Sequence, residues 1–191
     1  MSDPVSPLGG ASFDGIVRVS ENPPRGMITL RADLSSPKVE QAVVAASGLS
    51  MPAKGGAVID AERGVGWMSP DELLILLPHS DAAGAVTAMT SALNKEHALV
   101  VDVSDARASF KLDGEGTLIR ETLAKLTPAD MSPGGFPDGT LRRTRLAQVP
   151  AAMYWRHETC TEVICFRSVA SYVFGILSHA ATPGSEVGYF A

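Results

Sequence analysis

The sequence predicts an α+β fold built from two tandem ferredoxin-like βαββαβ units, on three observations. A short strand pattern runs into a helical pattern four times along the chain. Each helical stretch carries one apolar stripe at 3.6-residue spacing. The stretch "ASFKLDG" alternates Ala108, Phe110 and Leu112 with Arg107, Ser109 and Lys111, as expected of a strand with one buried face.

The first strand–helix pair is "MITLRAD" followed by "SSPKVEQAVVAASG". Ser36 suits the N-cap, Pro37 the first helical position and Gly48 the C-terminal stop. The second is "ELLILLP" followed by "HSDAAGAVTAMTSALNKEH". Ser80 is its expected cap, and Ala82, Ala85, Val86, Met89 and Leu93 form its stripe. The third is "ASFKLDG" followed by "EGTLIRETLAKLT", with Leu118, Thr122, Leu123 and Leu126 at helical spacing. The fourth is "EVICFR" followed by "SVASYVFGILSHAA", capped by Ser168, with Val169, Tyr172, Val173, Ile176 and Leu177 as the stripe. Further strands fall at "GGAVIDA" or "GVGWM", at "LVVDV" and within "RRTRLAQVPAAMYWR". The order is β-α-β-β-α-β, then β-α-β-β-α. Residues 1–14 and 182–191, rich in Pro, Gly and Ser, read as flexible tails around one α+β domain over 15–181. Its two units lie at about 25–104 and 105–181.

Composition narrows the function. The 191 residues carry a net charge of −5, which gives no electrostatic case for nucleic acid or anionic lipid. No apolar run reaches the roughly 18 residues of a membrane span. The start "MSDPVSPLGG" lacks the basic and apolar regions of a signal peptide, and a cytoplasmic location is expected. Cys160 and Cys165 do not make a disulfide framework.

The densest polar cluster is in "VVDVSDARASFKLDG": Asp102, Ser104, Asp105 and Arg107. A nucleophilic serine needs a base within hydrogen-bond reach, and no histidine is near in sequence. Asp and Ser at a strand corner bond local backbone groups, so the cluster reads as a polar corner. His157, Cys160 and Cys165 fit no familiar zinc spacing. "DGEGT", residues 113–117, has Ile119 where a dinucleotide fingerprint needs its last glycine, so it reads as a turn. No catalytic, cofactor-binding or metal residue is assigned. The candidate interface groups are Trp67, Arg107, Arg142, Arg143, Arg145 and Trp155, with the long loop 128–139. Arg and aromatic side chains are the usual anchors of permanent hetero-complexes.

Four stretches, "GWMSPDELLILLP", "VVDVSDARASFKLDG", "RTRLAQVPAAMYWR" and "CFRSVASYVFGIL", resemble the gamma subunit of heterotetrameric sarcosine oxidase. They span residues 66–177 in matching order and spacing. The resemblance implies a fold like the folate-binding domain of glycine-cleavage T-protein. It also implies a complex that oxidatively demethylates sarcosine to glycine, with tetrahydrofolate accepting the one-carbon unit and oxygen reduced to peroxide. The alpha, beta and delta partners would hold FAD, FMN, NAD, tetrahydrofolate and zinc. This chain would hold no cofactor and would be noncatalytic. The alternative is a free-standing folate-binding protein or a one-carbon transferase.

Overall fold

Residues 4–190 are described by the structure, a computed structural model. The chain forms two compact units. One comprises residues 24–105; the other joins the N-terminal stretch up to Pro23 to the chain from Ala106 onward. The discontinuous unit opens with β1 (Ser12–Asp14) and β2 (Arg18–Glu21).

The continuous unit follows as β3 (Gly26–Arg31), α1 (Pro37–Ser47), β4 (Ala57–Asp60), β5 (Arg63–Ser69), β6 (Glu72–Leu77), α2 (Ala82–Ala92) and β7 (Leu99–Asp102). Its antiparallel sheet has the order β4-β5-β6-β3-β7. Without β4, that is the ferredoxin-like order with β7 as the closing strand. Ile28 and Leu30 of β3, Val65 of β5 and Leu73, Ile75 and Leu77 of β6 pack with Val39 and Val43 of α1 and Met89 and Leu93 of the second helical stretch. Burying each such side chain contributes roughly 1.5–3 kcal/mol. Pro37 starts α1, and Gly48 ends it at φ 74°, its N–H returning to Val44 O. A 3-10 turn over His79–Asp81 precedes α2. The cap therefore falls at Asp81 rather than Ser80, and Asp81 also pairs with Arg63 at 2.6 Å.

The discontinuous unit resumes with β8 (Arg107–Asp113), α3 (Gly116–Ala124), β9 (Leu141–Leu146), β10 (Val149–His157), β11 (Cys160–Phe166) and α4 (Ala170–Ala180). Its sheet order is β1-β2-β8-β11-β10-β9. The fourth ferredoxin-like position, for which the sequence offers no strand after α4, is filled by β2. That strand pairs antiparallel with β8, from Arg18 opposite Asp113 to Glu21 opposite Phe110. Phe110, Leu112, Met153, Trp155, Val163 and Cys165 on one sheet face pack with Ile119, Leu123, Val173 and Leu177 of the helices. Tyr172, expected in the α4 stripe, is exposed instead. The 3-10 turn at Arg167–Val169 delays the helix by two residues past Ser168 and sets its inward face by Ala170, Val173 and Leu177.

Besides β1 and β2, which lie before the predicted strands, each unit carries one more strand than the sequence pattern predicts: β4 and β9 are added at sheet edges. Their hairpin turns contain Ala61 at φ 47° and Ala147 at φ 49°, where Gly or Asn is the usual signal. The stretches expected to be tails are held by carboxylates. Glu21 accepts the N–H of Leu8 at 3.0 Å and of Gly10 at 2.8 Å. Glu121, 4% exposed, accepts the N–H of Val187 and that of Gly188. Lys125 Nζ donates to Ala180 O at 3.0 Å and Ser185 O at 2.7 Å. Among the described residues, no helix is long and apolar enough to cross a membrane.

Candidate interface residues

The polar corner forms where β7 ends. Asp102 closes the strand, and Ser104 begins a 3-10 turn. Asp102 Oδ1 accepts the Ser104 N–H at 2.9 Å and the Ser104 hydroxyl at 2.5 Å. Ser104 Oγ in turn accepts the Met27 N–H at 3.0 Å. The hydroxyl proton is directed to Asp102, and one lone pair holds a backbone amide. This is the local backbone bonding expected of Asp and Ser at a corner.

Arg107, half-buried at the start of β8, lies opposite Phe166 of β11. Its guanidinium sits 4.1 Å from the centroid of that exposed ring. A shallow cleft of about 610 Å³ runs beside Phe166, bounded by Pro7, Ala106, Arg167 and Ser168. Among the described residues, Arg107 is the predicted anchor whose guanidinium lies over an exposed aromatic ring.

Trp155 is 3% exposed and belongs to the core, not to a surface. Its Nε1–H donates to Phe136 O at 3.0 Å, and its ring lies 5.7 Å from that of Phe136. Arg120 stacks over the indole at 4.5 Å and donates to the carbonyls of Met131, Ser132 and Phe136. Burial lowers the Arg120 pKa, and nearby Asp138 partly offsets this. Arg142 donates to Gly135 O. Trp155, Arg120 and Arg142 thus secure the 128–139 loop. Strand parity divides the "RRTR" patch: Arg142 lies opposite Met153 on the helix-covered face, whereas Arg143 lies opposite Ala152 on the other. Arg143 and Arg145 are exposed on an edge strand, where charge discourages pairing. Trp67 is half-buried on β5 and packs against the core of the continuous unit.

Other candidate chemistry is likewise not assembled. Cys160 and Cys165 sit at opposite parity on β11, both buried, while His157 is exposed and lies 3.1 Å from Thr159. Burial, with Asp113 adding to it, pushes the Cys160 thiol up to about 12. Burial also takes Cys165 to about 12, against a partial pull from Arg107. Thiolates are the reactive form, so neither sulfur is poised as a nucleophile. The 113–117 turn does not fit a pyrophosphate. A Cβ on Gly116 would meet Glu158 O at 2.6 Å, so the glycine serves close packing. Glu115, Asp138 and Glu158 line the adjoining cleft of about 490 Å³ together with Arg120, so its lining is acidic on balance. Sequence reasoning missed Phe166 and Arg120. Their signals, an aromatic opposite Arg107 and an arginine facing Trp155, depend on strand register and helix docking.

The geometry defines a protein of paired ferredoxin-like units whose polar clusters serve backbone and packing, with an arginine–aromatic surface pair. The profile of the sarcosine oxidase, gamma subunit family matches residues 31–183, and the chain belongs to that family. A sarcosine oxidase subunit gamma from Arthrobacter sp is 32% identical over 117 residues, which cover 60% of this chain and 55% of the relative. The counterpart from Corynebacterium sp. (strain U-96) gives the same identity and coverage. The matched stretch therefore spans about half the length of these curated relatives. Among solved structures, a chain of heterotetrameric sarcosine oxidase from Corynebacterium sp. U-96 in complex with pyrrole 2-carboxylate is similar at a TM-score of 0.76 and 26% identity. That likeness covers 89% of this chain and 87% of the other. Aminomethyltransferase T of the glycine cleavage system from Bartonella henselae is similar at a TM-score of 0.58 and 9% identity, over 82% of this chain and 44% of that one. The second likeness concerns the fold, and agrees with the folate-binding-domain architecture expected from the sequence.

Proposed function

We propose that this chain is the noncatalytic gamma subunit of a heterotetrameric sarcosine oxidase. It assembles with alpha, beta and delta partners in the cytoplasm. The complex demethylates sarcosine to glycine, with tetrahydrofolate as the one-carbon acceptor. FAD, FMN, NAD, tetrahydrofolate and zinc belong to the partner subunits. The observation that carries this reading is the family match over residues 31–183, coupled to a Ser104 hydroxyl committed to Asp102 and the Met27 amide. Arg107 and Phe166 are the proposed contact for a partner, since a guanidinium on an aromatic face combines apolar area with charge.

Co-expression with the three partners tests the proposal. The full chain by itself should show no flavin absorbance and no sarcosine oxidation, and should enter a one-to-one assembly with the partners. Arg107→Ala with Phe166→Ala should lower recovery of that assembly about tenfold, as loss of an anchor worth about 1.4 kcal/mol requires. A chain that oxidises sarcosine unaided, or a fully active complex that lacks it, would overturn the proposal. Saturable tetrahydrofolate binding by the full chain would favour a folate-binding protein instead.

A further inference from the structure

The chain turns back on itself after α4. Thr182, Pro183, Gly184 and Ser185 form a type II turn. The Ser185 N–H returns to Thr182 O at 3.1 Å, Pro183 presets the first corner, and Gly184 takes φ 81° at the second. Lys125 pins this turn to the helix end. Its Nζ donates to Ala180 O of α4 at 3.0 Å, to Ser185 O at 2.7 Å and to Ser185 Oγ at 3.1 Å. Ala181 is buried beside the turn, and its carbonyl accepts the Ile16 N–H at 2.8 Å. The turn is thus fixed to α3, to α4 and, through Ala181, to the approach to β2.

Beyond the turn, the arm formed by residues 186–190 is fastened differently. Val187 and Gly188 give their N–H groups to the Glu121 carboxylate, and Phe190 packs against the core at the far end. Between these points the arm faces solvent: Val187 is 72% exposed and Tyr189 79% exposed. Two costs oppose its closure. The Glu121 carboxylate loses its water, and the arm's backbone loses its freedom. An arm with so little apolar burial belongs to the low end of the local stabilities within a fold. Its two fastenings also depend on each other. Once Phe190 leaves its seat, water reaches the carboxylate and replaces both amides there.

We propose that residues 186–190 form a latch that swings open as one piece about Ser185, with Glu121 as its catch, while the turn and the fold beneath stay closed. Opening breaks both Glu121 bonds and lifts Phe190 in the same event. A carboxylate answered by main-chain N–H groups suits this motion, because water can solvate both partners once they separate and neither is left buried without a bond. The closed state keeps Glu121 at 4% exposure, with Lys125 3.9 Å away. The open state brings that carboxylate to the surface beside the ammonium, together with the apolar seat of Phe190. The latch therefore controls whether this charged and apolar surface is present.

Amide hydrogen exchange on the full chain tests the latch. In the parent, protection at Val187 and Gly188 should agree within about threefold and lie at least about a hundredfold below that of the core strand amide of Val163, as expected of one local opening. Phe190→Ala touches neither Glu121 bond, yet it should quicken exchange at both amides by a common factor of about ten, since it removes the apolar burial that closes the arm. Glu121→Gln keeps the shape of the catch without its charge and should also quicken both amides together. In each variant the Ile16 and Ala181 amides, on the fixed side of the turn, should keep the parent rate. Phe190→Ala lies at the chain end and leaves the core strands intact, so it decides the matter should Glu121→Gln not fold. An unchanged rate at either amide in Phe190→Ala, or a change at one of them alone, would show that the arm does not move as one piece. Equal quickening at Ile16 and Ala181 would show that the whole unit opens, and would overturn the latch as well.

Discussion

Ser104 holds the end of β7 to the start of β3: its Oγ accepts the Met27 N–H at 3.0 Å. The bond satisfies a buried backbone donor at a position where the ladder stops. The same hydroxyl donates to Asp102, so one side chain closes the strand corner in two directions.

Ser104→Ala orphans that amide and should lower stability by about 1–2 kcal/mol in urea unfolding. In the assembled complex, Ser104→Ala and Asp102→Asn should leave turnover within a few-fold of the parent. Loss of an acid–base group commonly costs about 10²–10⁴ in rate. A fall of that size with normal assembly would return the corner to catalysis.

Glu162 is 1% exposed and accepts from Tyr154 Oη at 2.5 Å and from Arg156 at 2.5 Å. Glu162→Ala leaves the Tyr154 hydroxyl without this acceptor and Arg156 without its carboxylate. Arg156 is a quarter exposed and can turn toward water, so the cost should be about 2–3 kcal/mol rather than the larger penalty of a sealed pair. Glu162→Gln should recover part of it. Equal midpoints for the Ala and parent chains in urea would contradict the packing described.

Glu121→Ala should release the C-terminal strap. The carboxylate accepts two strap amides, Val187 and Gly188, and bonds to a charged group contribute about 1.5–3 kcal/mol. Cleavage after Glu186 by a glutamyl protease should quicken well before the rest of the chain unfolds. Unchanged cleavage would mean that Lys125 at Ser185 and the contacts of Phe190 with the core hold the segment without Glu121.

Both thiols should resist alkylation in the native chain at pH 8 and react once it is unfolded. Each folded pKa lies at about 12, above the ordinary 9.0, so the folded state holds these protons more tightly. Their contribution to stability is complete below pH 9 and is lost as pH rises toward 12. Each thiol withdraws about 1.4 kcal/mol per pH unit across that window. An alkaline unfolding series of Cys160→Ala and Cys165→Ala should show a shallower fall than the parent.

Much of the architecture is legible in local patterns. Alternation along 106–112 identifies β8 and assigns Phe110 and Leu112 to the buried face. Pro37 and Gly48 bound α1 where the residue chemistry places them. The hairpins at Ala61 and Ala147 escape detection because neither residue signals a positive φ. The candidate anchors fare unevenly for one reason: exposure is a property of packing, not of residue type. Trp155 is buried against Phe136, Arg142 is folded onto the 128–139 loop, and Arg107 is left on the surface with Phe166.

The sequence by itself determined the succession of strands and helices, the α+β class and the resemblance to sarcosine oxidase gamma subunits. These depend on side-chain period, turn chemistry and motif order, all read within a few residues. Only the tertiary structure decided that β1 and β2 join a sheet whose remaining strands begin at Arg107, and that β7 is left as an apolar open edge. Strand pairing joins residues some ninety positions apart, as Glu21 and Phe110 are joined. No local period specifies such a partner; the burial of two complementary faces does.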